Sequence, residues 1–173
     1  MYIPKYFKEK ELVPQRMINI FRLKNINSIM LFSEYLLRSI DYIREMYGAI
    51  TINTKDLQFC GLLPLNYGGV MFNFSPHKLG KAFDLHIVKI ENEASKIKLE
   101  EEKNILAKNK DREDLLNELN EIKKERKIFK TEKYNEIREN LLQIKELEKL
   151  NFENNVSWIH TDILNRKNRL FND

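Results

Sequence analysis

No glycine or proline follows Gly80, so residues 81–173 contain neither of the residues that most readily break a helix. From about Glu91 to Leu150 this stretch is rich in Lys and Glu, with Leu and Ile at intervals, which is helical composition. Leu115, Ile122 and Phe129 stand seven apart with Leu119 between them, and Ile137, Leu141, Ile144 and Leu147 make a second seam. The pattern predicts an antiparallel helical hairpin that turns near Phe129, with Thr131 capping its second helix; a single long helix fits the same residues. Residues 91–150 are therefore read as a largely helical, charged insertion within one domain spanning 1–173. A charged helical face is usually just solvated. The sharper reading is a hairpin that binds a protein partner.

The other half of the chain is patterned differently. Pro14 can start or interrupt a helix holding Met17, Ile18, Ile20 and Phe21, and Asn27 or Ser28 can cap the next one. Phe32, Leu36, Leu37, Ile40, Ile43 and Tyr47 recur at helical steps before the stop at Gly48. A β-branched run, Ala49 to Thr54, has strand length, and Ala82 to Val88 alternates so that Phe83, Leu85 and Ile87 face one side while Asp84 and His86 face the other. Val156 to Ile163 reads as a further strand. Between the first two strands lies a long loop, 55–75, with Gly61, Gly68 and Gly69, and long ordered loops tend to carry function. The expected class is α+β: a small antiparallel sheet with packed helices, plus the charged hairpin. The tail from Leu164 to Asp173 carries no pattern.

Cys60 is the only cysteine, so no internal disulfide can form. The N-terminus lacks the apolar run of a secretory signal, and no segment is apolar and long enough to span a membrane. Synthesis in the cytoplasm without a signal peptide is the expectation. A net charge of +4 suits an anionic surface such as cell wall or nucleic acid and does not select between them. The absence of a basic stripe with interleaved aromatics disfavours a nucleic-acid module.

The chain has three histidines, His77, His86 and His160, all in or beside two short stretches, Ser75 to Leu85 and Ser157 to Asp162. His77, Asp84 and His160 are ligand types that zinc accepts, and three protein ligands leave a fourth position for water. They can meet only if the Ala82 and Val156 strands lie side by side. A carboxylate must then handle the proton, for which Asp162 and Glu153 are the candidates, and Asp162 can alternatively orient His160.

The pattern Ser75-x-His77-x-x-Gly80-x-Ala82-x-Asp84-Leu85 followed by Trp158-Ile159-His160-x-Asp162 resembles the zinc D-alanyl-D-alanine metallopeptidase family. That family holds D,D-carboxypeptidases, D,D-dipeptidases and the L-alanyl-D-glutamate endopeptidases of phage endolysins. Tyr6-Phe7-Lys8-x-x-Glu11-Leu12-Val13-Pro14, Ile50-Thr51-Ile52-Asn53 and the region Glu136-Ile137-Arg138 through Phe152-Glu153 resemble the phage-type branch in the same order. The likeness covers roughly residues 5–90 and 133–163. It implies the hedgehog/D-Ala-D-Ala peptidase fold and a Zn2+ cofactor on His77, Asp84 and His160. Ser75 and Trp158 are the substrate-binding candidates. It further implies a peptidoglycan stem peptide as substrate, and action at the cell wall or within a virion, as a phage or prophage lysin. Three departures stand out: Ser157 replaces the family's general-base glutamate, Gly61-Leu62-Leu63-Pro64 lacks its arginine, and Leu164 stands where phage-type members carry another, with Arg166 two further on. They open the alternative of a weakened or inactive member with a structural or partner-binding role.

Overall fold

The computed structural model describes residues 2–52, 81–107, 112–164 and 166–172. Two short helices, α1 (Glu9–Leu12) and α2 (Gln15–Leu23), precede a 3-10 turn at Ser28–Leu31 and the amphipathic helix α3 (Glu34–Tyr47). Asn27 caps the 3-10 turn, its side chain accepting from the Ile29 N–H, while Ser33 takes the N-cap position of α3. Gly48 ends α3 with a φ of +82°, a left-handed conformation that a Cβ would strain. Leu36, Leu37, Ile40 and Ile43 on α3 are buried against the sheet.

Strand β1 (Ile50–Ile52) pairs antiparallel with β2 (Ala82–Ile87), and β2 pairs antiparallel with β4 (Ile159–Asp162). Strand β3 (Asn151–Glu153) lies on the other side of β4, and β5 (Leu170–Phe171) closes the edge. The order is β1-β2-β4-β3-β5, antiparallel throughout except for the last pair, β3 with β5, which is parallel. The chain is thus α+β with a small sheet, as its patterning predicts. Phe83, Leu85 and Ile87 are buried on the core face of β2, and the Phe83 ring packs 5.0 Å from that of Phe32.

The lysine- and glutamate-rich region forms α4 (Val88–Lys96), α5 (Leu99–Ala107) and α6 (Arg112–Leu142). The expected turn near Phe129 is absent: α6 runs unbroken through it, and Thr131 sits inside the helix, its hydroxyl donating to the Lys127 carbonyl at 2.9 Å. Nothing at 127–131 disfavours helix, so propensity carries the chain through. Instead α4 and α5 pack along α6, and residues 108–111 between α5 and α6 lie outside the described residues. Ala94, Ile105 and Ile122 are buried within this hairpin, so one heptad seam faces its partner helices. Arg126 reaches Glu102 at 2.6 Å and the Ile97 carbonyl at 3.1 Å across it. The C-terminal half of α6 belongs to the main core, where Tyr134 and Leu141 are fully buried.

The final strand and the tail differ from expectation. The run Val156 to Ile163 is strand only over Ile159–Asp162. The patternless tail supplies β5 and a half-buried clamp: Arg169 donates to the carbonyls of Leu142, Leu147 and Leu150 at 2.9, 2.8 and 3.0 Å. The Leu142 oxygen belongs to the last turn of α6, where carbonyls lack intrahelical donors, and the Leu147 oxygen is shared with the Leu150 N–H at 3.0 Å.

Candidate functional site

Strands β2 and β4 lie side by side, and their register sets Asp84 directly opposite His160. Cross-strand partners share a face, so both side chains stand on the side of the sheet away from Phe83 and Leu85. The His160 Nδ1 and the Asp84 Oδ1 are 2.8 Å apart. His160 is 8% exposed, whereas the Asp84 side chain keeps 30% of its surface open to solvent. His77 and Ser75 lie outside the described residues, so the structure brings together two of the three proposed ligands.

Asp162 follows His160 by two positions and shares its face. Its Oδ2 stands 3.8 Å from the His160 Nε2 and accepts from the Arg166 Nε at 2.8 Å and from an Arg166 terminal nitrogen at 2.7 Å. Its Oδ1 accepts from the Asn151 side chain at 2.8 Å and the Leu164 N–H at 3.0 Å. Burial alone would push this carboxyl up, but His160, Arg166, Asn151 and the Leu164 amide outweigh it and hold it well below the usual carboxylate range. A carboxylate so satisfied is a poor proton acceptor and a good fixed charge.

Burial likewise disfavours a charged His160, but Asp162 and Asp84, with a contribution from Glu153, raise the imidazole to about 9. The register of β3 with β4, carried on by one residue, sets Glu153 next to His160. A row of Asp84, His160 and Glu153 therefore crosses three strands. Phe171 on β5 presents its ring edge-on to His160 at 6.1 Å, and the Arg166 guanidinium stacks 3.6 Å above that same ring.

Trp158 contributes through its backbone. Its carbonyl accepts from the Arg138 Nη1 at 2.7 Å, and the Val156 carbonyl accepts from the Nη2 at 2.9 Å, while its indole N–H is buried with no hydrogen-bond partner among the described residues. Arg138 is 1% exposed, and burial pulls its pKa down to about 10 against the opposing pull of Glu153 and Tyr134. It is a structural bracket for the loop that delivers His160. Sequence reasoning missed it, along with Asn151 and Phe171, although an arginine between Ile137 and Leu141 on an apolar seam was a usable signal.

The donor set is chemically suited to zinc. Two ligands about 2.0–2.1 Å from a tetrahedral ion are about 3.3 Å apart, so the Asp84–His160 pair has to open by roughly half an ångström, which the partly exposed Asp84 permits. Among the described residues no group of three His, Cys, Asp or Glu is arranged to hold a metal. No helix of the described residues is long and apolar enough to cross a membrane. No family model, curated protein or solved structure matches the chain.

Proposed function

We propose that this chain is a zinc-dependent peptidase that cleaves a stem-peptide bond of peptidoglycan, as a phage or prophage lysin or a virion-associated protein. The observation that carries the reading is the cross-strand pair of Asp84 and His160, whose polar atoms converge on one point of the sheet. It is the meeting that the two family-like motifs require. His77, seven residues before Asp84, is the third ligand of the proposal. When bound, zinc supplies a Lewis acid that polarises a carbonyl and lowers the pKa of water.

The remaining work falls to this chain's own side chains. Asp162, fixed by Arg166 and Asn151, orients the His160 ring from its far side. Glu153, next to His160 and half-buried, is the carboxylate we assign to proton transfer, since Ser157 cannot take that role and Asp162 is committed to four donors. Phe171 and the stacked Arg166 wall off the β5 side. The test is loss of turbidity of purified cell walls, with release of new peptide ends, in the presence and absence of a chelator. Zinc-dependent release is expected; its absence sinks the reading.

A second reading, of a zinc-binding but inactive family-like protein that docks a partner through the helical hairpin, is favoured by the committed state of Asp162. It predicts one zinc per chain with no peptide release, and loss of assembly when the outer hairpin is deleted.

A further inference from the structure

The net positive charge of this protein falls in one stretch of its sequence. Lys5, Lys8, Lys10, Arg16, Arg22 and Lys24 stand against only Glu9 and Glu11 in the first thirty residues, so this segment holds the whole net charge of +4 and the remaining residues are balanced. The same segment carries half of the large apolar side chains exposed among the described residues, five of ten: Ile3, Ile20, Leu23, Ile26 and Met30. Leu23, in the run Arg22-Leu23-Lys24, is 87% exposed and Met30 is 65% exposed.

The local fold makes this a defined corner. Helix α2 ends with Asn25 in the left-handed region (φ +54°), the Asn25 N–H bonding the Arg22 carbonyl and the Ile26 N–H reaching back to the Phe21 carbonyl at 2.9 Å. That Schellman closure turns the chain sharply and sets Ile26 beside the last turn of α2, where Ile20 and Leu23 share a face. Glu9 fastens the corner by accepting from Arg22 at 2.9 Å and from the Ser28 hydroxyl. The backbone N–H groups of Lys5 and Tyr6 and the Tyr2 hydroxyl donate to the buried Asp41, so the preceding arm is tied to α3.

Apolar side chains exposed at a sharp turn and alternating with basic ones do not form the flat, dry patch that a protein partner buries. They match an interface in which tips enter a fluid apolar layer while cations meet a negative surface. We infer that the α2 corner docks the protein on an anionic lipid bilayer, with Leu23 at the headgroup–acyl boundary and Lys24 beside it against the headgroups. This surface is separate from the sheet face that bears Asp84 and His160, and its use does not depend on zinc.

Co-sedimentation of the full chain with vesicles tests it, using phosphatidylcholine alone and phosphatidylcholine mixed with phosphatidylglycerol. Binding is expected to the mixed vesicles only, to weaken at high salt, and to be unchanged by a chelator. Leu23→Asp is expected to lower the partition by about tenfold. Leu106→Asp, which puts the same charge on an exposed site of the hairpin, is expected to leave it unchanged. Both sites are exposed, and unchanged circular dichroism and thermal midpoint verify that each variant is folded. Equal binding to neutral vesicles, no binding to the mixed vesicles, or equal loss in both variants overturns the inference. So does light scattering that shows a dimer which Leu23→Asp dissolves, since the corner would then face a second copy.

Discussion

Replacing Tyr134 by Phe asks whether the charged hairpin is part of the fold or an appendage to it. The Tyr134 ring is fully buried in the main core and stays so as Phe. Its hydroxyl accepts from the Ile87 N–H at 2.8 Å, at the end of β2, and donates to the Glu91 Oε1 at 3.0 Å, on α4. The substitution deletes a hydrogen bond to a charged group and leaves a buried amide without its acceptor. Each effect is worth about 1–3 kcal/mol; because Glu91 retains Lys130 and His86, the lower half of each range, about 1–2 kcal/mol, applies and the sum is about 2–4 kcal/mol. That is a large share of a domain's typical stability, about 5–15 kcal/mol. Urea unfolding is the assay, with the midpoint expected to fall and the slope to stay constant. A loss below about 0.5 kcal/mol, the level of an exposed substitution, would refute the placement of this hydroxyl between sheet and hairpin.

Other outcomes follow from the same contacts. Although burial pushes the Glu91 carboxyl up, His86, Lys130 and Tyr134 hold it down to about 2, against an ordinary value of 4.5. Its contribution to stability is therefore complete above about pH 4.5 and is lost as pH falls toward 2; acid titrations of stability should show this loss in the wild type and a smaller one in Glu91→Gln. Arg138→Met should cost about 2–3 kcal/mol by stripping the Val156 and Trp158 carbonyls of their donor, and two-dimensional NMR should localise the disturbance to 154–160; unchanged spectra there would contradict the bracket. His160→Ala and Asp84→Asn should each abolish stoichiometric zinc measured by mass, and zinc at a hundred times its dissociation constant should stabilise the wild type by about 2.7 kcal/mol and neither variant.

The parts of this structure that were legible in the sequence are those governed by local periodicity. The alternation in Ala82 to Val88 assigned its two faces, because a half-buried strand repeats every second residue. The α3 stripe and its Gly48 stop were equally plain. The pairing of Asp84 with His160, separated by 76 positions, rested on motif order rather than on spacing. What could not be read were features set by tertiary context. Arg169 looks like any surface arginine until three carbonyls converge on it, and β5 is a strand only because β3 offers an open edge. The hairpin reversal was misplaced because threonine and phenylalanine near 129–131 carry weak signals, whereas an unbroken ladder of hydrogen bonds rewards every residue it includes.

The hairpin also bears on how the sheet comes together in time. The neighbouring strands β2 and β4 are separated by the 71 residues from Val88 to Trp158. A helical hairpin forms from near-neighbour contacts, and once α6 lies along α4 it brings Tyr134 beside Ile87. The chain left to close before the strands can meet is then only the 24 residues from Asn135 to Trp158. With closure entropy growing as (3/2)RT ln n, this shortcut is worth about 1 kcal/mol of search, or roughly a fivefold faster approach to the barrier. The charged helices α4, α5 and α6 thus act as a splint during folding, and stopped-flow refolding of Tyr134→Phe, slowed by a comparable factor, would register the loss of its fastening.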